Sequence, residues 1–151
     1  MNKPLDLKEL MVDQVQLAKR LRQETSGDVM TDSASRGRYA TDASIYQAMP
    51  VAVFIPKTAQ DIASAIQIAA ELGVPVLPRG GGTSQCGQTT GAALVIDNSK
   101  YFRNVLDLNL DKGYVEVEPG IVLDHLNGSL KQHGLWYPVD VSTAGQATIG
   151  G

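Results

Sequence analysis

Apolar positions recur with a helical period in three stretches of the chain. The predicted helices run from Asp6 to Glu24, from Ala59 to Leu72 and from about Ile121 to Gln132. Each has one apolar face that a protein core would cover. On the first helix these residues are Leu7, Met11, Val15 and Ala18, flanked by Leu10, Leu17 and Leu21. On the second they are Ile62, Ile66, Ala69 and Ala70, flanked by Ala65, Ile68 and Leu72, and on the third Val122, Leu123, Leu126 and Leu130.

Short apolar runs between these helices predict strands. The run Val51–Ile55, the second helix and the run Val74–Leu77 form a βαβ unit, whose strands should be parallel with a right-handed crossover. Thr58 and Asp61 form a capping-box-like start to that helix, and Gly73 is suited to end it. Further strands are predicted at 92–97, 105–108 and 114–117, the last two as a pair joined by a turn.

Two stretches lack a sustained period. Thr25–Ser44 is polar and is interpreted as irregular chain crossing a surface, with Arg36–Asp42 either a solvated loop or a functional cluster. Leu135–Gly151 is loop-like and rich in small residues. The pattern as a whole predicts an α+β fold with a small parallel βαβ core flanked by helices.

Composition narrows the class of protein. The 151 residues are 43% hydrophobic and 19% charged with a net charge of −3, which suits a globular domain and gives no reason to expect nucleic acid as a partner. No apolar run has the length of a signal peptide core or a membrane span, so no transmembrane segment is predicted. A single cysteine, Cys86, excludes an internal disulfide. We expect a cytoplasmic protein, with peripheral membrane attachment through other parts left open.

A glycine-rich loop follows the predicted strand 74–77. It reads Arg-Gly-Gly-Gly-Thr-Ser-Gln-Cys-Gly-Gln from Arg79 to Gln88. Successive glycines let backbone amides approach a ligand with no Cβ in the way, which suits a phosphate or pyrophosphate. Thr83 and Ser84 add hydroxyl donors, and Arg79 offers charge or orients the loop. The alternative is a tight surface turn, but ligands in α/β sheets usually lie at the carboxyl ends of strands.

Two familiar phosphate-binding motifs do not fit this loop. The stretch from Gly82 to Thr89 has the spacing of a Walker A motif, but Gln88 replaces the lysine and no helix follows. Gly80 and Gly82 match the first two glycines of the dinucleotide fingerprint, whereas Gln85 occupies the third position. The motifs therefore argue against an NTPase and against a Rossmann-type site.

Four segments share an order and spacing that is specific when they are taken together. They are Pro78–Ser84 with Gly87 and Gln88, Pro50–Pro56 with Thr58, Val117–Ile121, and Pro138–Ser142 followed by Ala147–Gly151. In this arrangement the chain resembles the FAD-linked oxidase family, also called the vanillyl-alcohol oxidase or p-cresol methylhydroxylase (PCMH) type. The Gly-Gly-Gly-Thr-Ser form is most similar to the branch that contains the glycolate oxidase D-subunit and the D-lactate and D-2-hydroxyglutarate dehydrogenases.

The resemblance implies a domain organisation. Residues 1–38 would be an N-terminal helix and an irregular linker, and residues 39–151 the N-terminal part of a PCMH-type FAD-binding domain. The first lobe would be present and the second only begun. Because family members continue into a substrate domain that supplies the catalytic groups, we expect no catalytic residue within this chain and no activity from it alone.

The resemblance also implies a cofactor and a reaction. Backbone amides of Gly80 to Ser84 would hold the FAD pyrophosphate. Some members bind FAD covalently through a histidine at the position of Thr83. A threonine cannot form that bond, so we predict non-covalent FAD. The implied reaction is oxidation of a 2-hydroxy acid with hydride transfer to the flavin, followed by electron transfer to a quinone, a cytochrome or an iron–sulfur module. The predicted cofactor-binding residues are Arg79, Gly80, Gly81, Gly82, Thr83, Ser84, Gly87, Gln88, Asp140, Ser142, Thr148, Gly150 and Gly151.

Two alternatives to this function stay open. One is a flavin domain from a reductase of peptidoglycan precursor synthesis or a molybdenum hydroxylase, and the other is a non-catalytic module that binds nucleotide or phosphate. No metal is predicted, because His125 and His133 have no further ligands at a suitable spacing. Cys86 is expected to be a small buried residue beside the cofactor, and Trp136–Pro138 either packs near the flavin or belongs to the core.

Overall fold

The computed structural model describes residues 7–150, with side chains from Gln14 onward. That range contains four helices and six strands. In chain order they are α1 (Leu7–Glu24), β1 (Asp28–Met30), α2 (Ser33–Gly37), β2 (Ala52–Ile55), α3 (Ala59–Glu71), β3 (Val76–Arg79), β4 (Leu94–Asp97), β5 (Val105–Asn109), β6 (Tyr114–Val117) and α4 (Leu123–Lys131). The predicted helices and strands are all present, with ends that differ by a few residues.

The main sheet has four strands in the order β1-β2-β4-β3. β4 pairs in parallel with both β2 and β3, and β1 adds an antiparallel edge to β2. The βαβ unit is therefore present, but β4 is inserted between its two strands. Because β2, β3 and β4 are parallel, their carboxyl ends meet at one edge of the sheet.

Local signals in the sequence fix the ends of α3. Thr58 accepts a hydrogen bond from the amide of Asp61, and the Asp61 carboxylate accepts one from the amide of Thr58, which completes the predicted capping box. Asp61 is buried and also accepts from the amides of Ser26 and Lys57, so it ties the helix start to the turn before β1. Gly73 follows the helix with a φ of +65°, which a residue with a side chain rarely adopts.

The core lies between the sheet and two helices, α1 and α3. The largest side chains that it encloses completely include Phe54, Leu17 and Leu21. Two predicted face residues point outward instead, since Val15 is 70% exposed and Ile66 is 47% exposed. The sequence period was correct, but the centre of each buried face is rotated towards the residues that were predicted to flank it.

A second, smaller apolar cluster forms beyond the main sheet. Helix α4 buries Leu126 and Leu130 together with Ile121, and these pack against residues of the β5–β6 hairpin. Gly113 has a φ of +67° in the turn of that hairpin, as the predicted turn requires. This cluster positions the segment that follows α4 next to the glycine loop.

The polar stretch 25–44 is not wholly irregular, which corrects the prediction from the sequence. It contributes the edge strand β1 and the short helix α2, whose N-cap Asp32 accepts a hydrogen bond from the amide of Ser35. Both elements are too short to give a visible period. The predicted helix start at Asp6 lies outside the described residues. Within residues 7–150, no helix is both long and apolar enough to cross a bilayer.

Candidate functional site

The glycine loop leaves the sheet at the carboxyl end of β3. Arg79 is the last residue of that strand, and it pairs in register with Asp97 of β4. The loop then runs from Gly80 to Thr89, with positive φ angles at Gly82 and Gly87. These two positions are the ones in the loop whose conformation requires glycine.

A second segment, residues 141–150, faces this loop. It is held by backbone hydrogen bonds to the chain around the start of α4. The amide of Leu123 donates to the carbonyl of Ala147 at 2.9 Å, and the amide of Ile149 donates to the carbonyl of Ile121 at 3.0 Å. The amide of Gly150 donates to Pro119 at 2.7 Å. The segment is thus fixed although it contains no helix or strand.

The two segments approach each other closely at their glycines. A Cβ atom added to Gly81 would lie 2.2 Å from the carbonyl oxygen of Gln146. One added to Gly80 would lie 2.7 Å from the carbonyl oxygen of Gly150. Any other residue at these positions would push the walls apart, so the glycines allow the backbone segments to form one cleft.

The cleft between them has a volume of about 610 Å³, within the range of small-molecule sites. Its lining is formed by Gly80, Gly81, Gly82, Thr83, Ser84, Gln85, Gln88, Thr89, Val141, Ser142, Thr143, Ala147, Thr148, Ile149 and Gly150. No ionisable side chain is among these lining residues. Recognition of a charged ligand here would rest on backbone amides and hydroxyl groups.

The amides of the glycine loop have unused donor capacity. From Gly80 to Ser84, no backbone amide donates a hydrogen bond to an acceptor within residues 7–150. None of these five residues is fully buried, so water or a ligand can reach their amides and serve as the acceptor. Such a run of amides is an anion-binding surface, and pyrophosphate oxygens are suitable acceptors for it.

Arg79 holds the glycine loop in place without lining the cleft. It is buried, and its guanidinium donates to the carbonyls of Thr89 at 3.0 Å, Thr41 at 2.8 Å and Tyr39 at 3.2 Å. The bond to Thr89 joins the two ends of the loop. Of the two roles that the sequence left open for Arg79, orientation of the loop is the one that these contacts describe.

The segment before β2 also contacts the loop. The Tyr39 hydroxyl donates to the Asp97 carboxylate at 2.7 Å; burial, followed by this bond to a carboxylate, raises the pKa of Tyr39. The Asp42 carboxylate accepts from the Thr89 hydroxyl at 3.1 Å. Partial burial raises the pKa of Asp42, but hydrogen bonds from Ser44 and Thr89 outweigh it and hold this pKa below its usual value. Arg36–Asp42 is therefore not a solvated loop.

Most of the predicted site residues meet in the cleft. Those that line it are Gly80, Gly81, Gly82, Thr83, Ser84, Gln88, Ser142, Thr148 and Gly150. Arg79, Gly87 and Asp140 are not lining residues, and Gly151 lies outside the described residues. Gly87 instead packs on the ring of Tyr46, where an added Cβ would lie 2.6 Å from the ring.

Six lining residues were not predicted from the sequence: Gln85, Thr89, Val141, Thr143, Ala147 and Ile149. Each is adjacent to a predicted site residue, and all but Thr89 and Thr143 lie inside segments that the sequence analysis had already singled out. The sequence left Arg36–Asp42 open as a functional cluster, but it did not reveal that Tyr39 and Asp42 contact Asp97 and Thr89, because these partners are distant in sequence.

Other residues that the sequence singled out lie away from the cleft or on its rim. Cys86 is exposed, which corrects the expectation that it is buried beside a cofactor. Trp136 is 63% exposed and borders a small depression of about 210 Å³ against the β5–β6 hairpin, so it is neither a core residue nor a lining residue of the main cleft. Among the described residues, no three His, Cys, Asp or Glu side chains lie together as a metal site would require.

Comparison with protein families gives a match over residues 50–151, to the family described as FAD binding domain. Among curated proteins, the chain is 40% identical over 131 residues to the D-2-hydroxyglutarate dehydrogenase of Pseudomonas putida, covering 83% of this chain and 13% of that protein. It is 35% identical over 133 residues to glycolate oxidase subunit GlcD of Bacillus subtilis, covering 85% of this chain and 28% of that protein. The chain thus spans only a small part of the length of these relatives.

Solved structures share the fold. An alkyldihydroxyacetonephosphate synthase superposes with a TM-score of 0.75 at 17% identity, covering 99% of this chain and 32% of that one. The 4-ethylphenol oxidase of Gulosibacter chungangensis superposes with a TM-score of 0.63 at 20% identity, covering 89% of this chain and 26% of that one. At these identities the similarity concerns the arrangement of helices and strands alone.

Proposed function

The chain belongs to the FAD-binding-domain family of FAD-linked oxidases, and from this we propose that it is the FAD-binding portion of an oxidoreductase that oxidises a 2-hydroxy acid. The family match covers residues 50–151, which include both walls of the cleft. The α+β fold with its parallel core agrees with the PCMH-type domain that the sequence predicted.

The observation that carries the proposal is the run of donor amides from Gly80 to Ser84. FAD presents a pyrophosphate, two adjacent anionic groups that need several donors and close approach of the backbone. The run from Gly80 to Ser84 supplies amides that have no acceptor within residues 7–150, and its three glycines have no Cβ. Thr83 and Ser84 place hydroxyl-bearing side chains in the lining of the same cleft. The residues present therefore fit the cofactor.

The lining residues support a proposal for how FAD is attached. No histidine or cysteine is among the residues that line the cleft. Thr83 stands at the position where some family members have a histidine bonded to flavin, and a threonine cannot form that bond. We therefore propose that FAD is held non-covalently. Ser142 and Thr148 would contribute polar contacts from the second wall. Gly80 and Gly150, where the backbones of the two walls also approach closely, would let the walls close around the cofactor.

The substrate class is proposed from the named relatives. Relatives that are 32–40% identical to this chain are named D-2-hydroxyglutarate dehydrogenase, glycolate oxidase subunit and D-lactate dehydrogenase, and all three names refer to a 2-hydroxy acid. FAD would accept the hydride in such a reaction. This chain's own part would be to bind and orient the cofactor. The catalytic groups would come from other parts of the protein.

Two finer features are also proposals. The reduced cofactor would pass electrons to a quinone, a cytochrome or an iron–sulfur module. The setting would be the cytoplasm, where a single exposed Cys86 stays reduced. Neither feature depends on the lining of the cleft.

The experiment is anaerobic reduction of the flavin in the protein at its native length. D-2-Hydroxyglutarate, D-lactate and glycolate are added in turn, and the absorbance of oxidised flavin is followed, with the L-enantiomers as controls. The proposal predicts bleaching by at least one D-2-hydroxy acid or by glycolate. A protein that holds FAD but is bleached by none of these acids would contradict the substrate class and leave FAD binding intact.

A further inference from the structure

Residues 39–46 form a closed loop that lies against the glycine loop, and we call it the strap. Its ends are joined by a hydrogen bond from the amide of Ala48 to the carbonyl of Ala40 at 2.9 Å, and by a bridge between Thr41 and Gln47. Within it, the amide of Ser44 donates to the carboxylate of Asp42 at 2.8 Å. The strap therefore has a defined shape although it contains no helix or strand.

The strap contacts the glycine loop along its length. The amide of Ala43 donates to the carbonyl of Gly82 at 3.1 Å, and Tyr46 packs against Gly87. Asp42 accepts from both the amide and the hydroxyl of Thr89, at 3.4 Å and 3.1 Å. These contacts reach the middle of the loop, its second positive-φ glycine and its last residue.

Asp42 is the only charged side chain of the strap. Its carboxylate accepts hydrogen bonds from Thr89, which lines the cleft. Hydrogen bonds to a charged acceptor are stronger than neutral ones, so this contact fixes the end of the loop more firmly than its exposure would suggest. At the other end of the loop, Arg79 donates to Thr41 of the strap and to Thr89. The strap thus connects both ends of the glycine loop.

We propose that the strap is a positioning element of the cofactor site, and that Asp42 sets cofactor affinity by holding Thr89 and the glycine loop in the shape that binds pyrophosphate. This inference rests on the proposed function. It extends the binding unit to residues that precede the family match, which begins at residue 50. Asp42 itself does not line the cleft, so its effect is transmitted through Thr89.

The test compares Asp42→Ala with Asp32→Ala in the protein at its native length. Asp32 is a matched control, because it also accepts a backbone amide within the preceding segment, at the start of α2. We expect Asp42→Ala to raise the Kd for FAD on the order of ten-fold relative to the control. Hydrogen exchange of the amides at 80–90, measured without cofactor, should also become faster in Asp42→Ala alone.

Thr89→Val keeps the test decisive if Asp42→Ala does not fold. It removes the hydroxyl donor and leaves the Asp42 bond to Ser44 in place, so we expect a loss of affinity of about five-fold. In a double-mutant cycle the two losses should be less than additive, because both remove the same contact. Unchanged FAD affinity and unchanged loop exchange in both variants would overturn the inference.

The outcomes also separate this inference from the proposed function. A wild-type protein that takes up no FAD, together with faster loop exchange in Asp42→Ala, would refute the function and the effect of Asp42 on cofactor affinity, and would support only the part of the inference in which Asp42 holds the glycine loop. A wild-type protein that binds FAD, with both variants equal to Asp32→Ala in affinity and exchange, would refute the strap and support the function.

Discussion

Gly81→Ala tests whether the cleft depends on the contact between its two walls. The added Cβ would lie 2.2 Å from the carbonyl oxygen of Gln146, well inside the 3.0 Å below which real Cβ contacts essentially do not occur. The neighbour is backbone, so the 141–150 segment must retreat by about 1 Å, and overpacking of this kind costs about 1–3 kcal/mol. FAD must draw the retreated wall back into place, so this cost opposes binding, and because each 1.4 kcal/mol corresponds to a factor of ten, the Kd for FAD should rise by about 5- to 150-fold.

The assay is titration of cofactor-free protein with FAD, followed by quenching of flavin fluorescence. Gly91→Ala is the matched control, because a Cβ there would meet Leu77 at 3.5 Å, an ordinary contact. We expect the control to bind FAD like the wild type. Equal affinity of Gly81→Ala and Gly91→Ala for FAD would refute the idea that close wall-to-wall approach shapes the site.

Two further predictions concern stability. Burial alone would raise the pKa of Asp61, but hydrogen bonds led by those from Ser26 outweigh it and lower this pKa from 3.8 to about 2. The carboxylate therefore adds about 2 kcal/mol to the free energy of unfolding above pH 4, and this stabilisation is lost as the pH falls towards 2. Asp61→Asn should remove that part of the pH dependence when urea-unfolding curves are measured across this range. Ile68→Ala, at a buried position of α3, should lower the free energy of unfolding by about 2–5 kcal/mol, whereas Ile66→Ala, at an exposed position of the same helix, should cost less than about 1 kcal/mol; similar losses would contradict the orientation of α3.

Local sequence signals were sufficient for helix α3 and for the parallel strands of the main sheet, but not for its short edge strand β1. The capping box of Thr58 and Asp61 and the terminating Gly73 fixed α3, because they act within one turn of the helix. The rotation of the buried face was less well determined. Ile66 and Ile68 are equally apolar, and only the packing of α1 and the sheet decides that Ile68 is buried and Ile66 is exposed.

The site was predictable where its chemistry is local. The glycine run predicted an anion-binding loop, and the family pattern predicted a second segment that the structure places opposite it. The role of the strap was not predictable, because Asp42 is 47 residues from Thr89 and Tyr39 is 58 residues from Asp97. No periodicity or spacing rule connects residues at such separations, so only the folded chain reveals their contact.

The most direct test of the central claim is the visible absorption spectrum of the protein at its native length, recorded before and after acid precipitation. If the cleft holds FAD through amides and hydroxyls without a covalent bond, as proposed, the flavin bands move to the supernatant. Colour that stays in the pellet would contradict non-covalent attachment. A protein without flavin bands, which also takes up no FAD on reconstitution, would contradict the claim that this cleft is a flavin site.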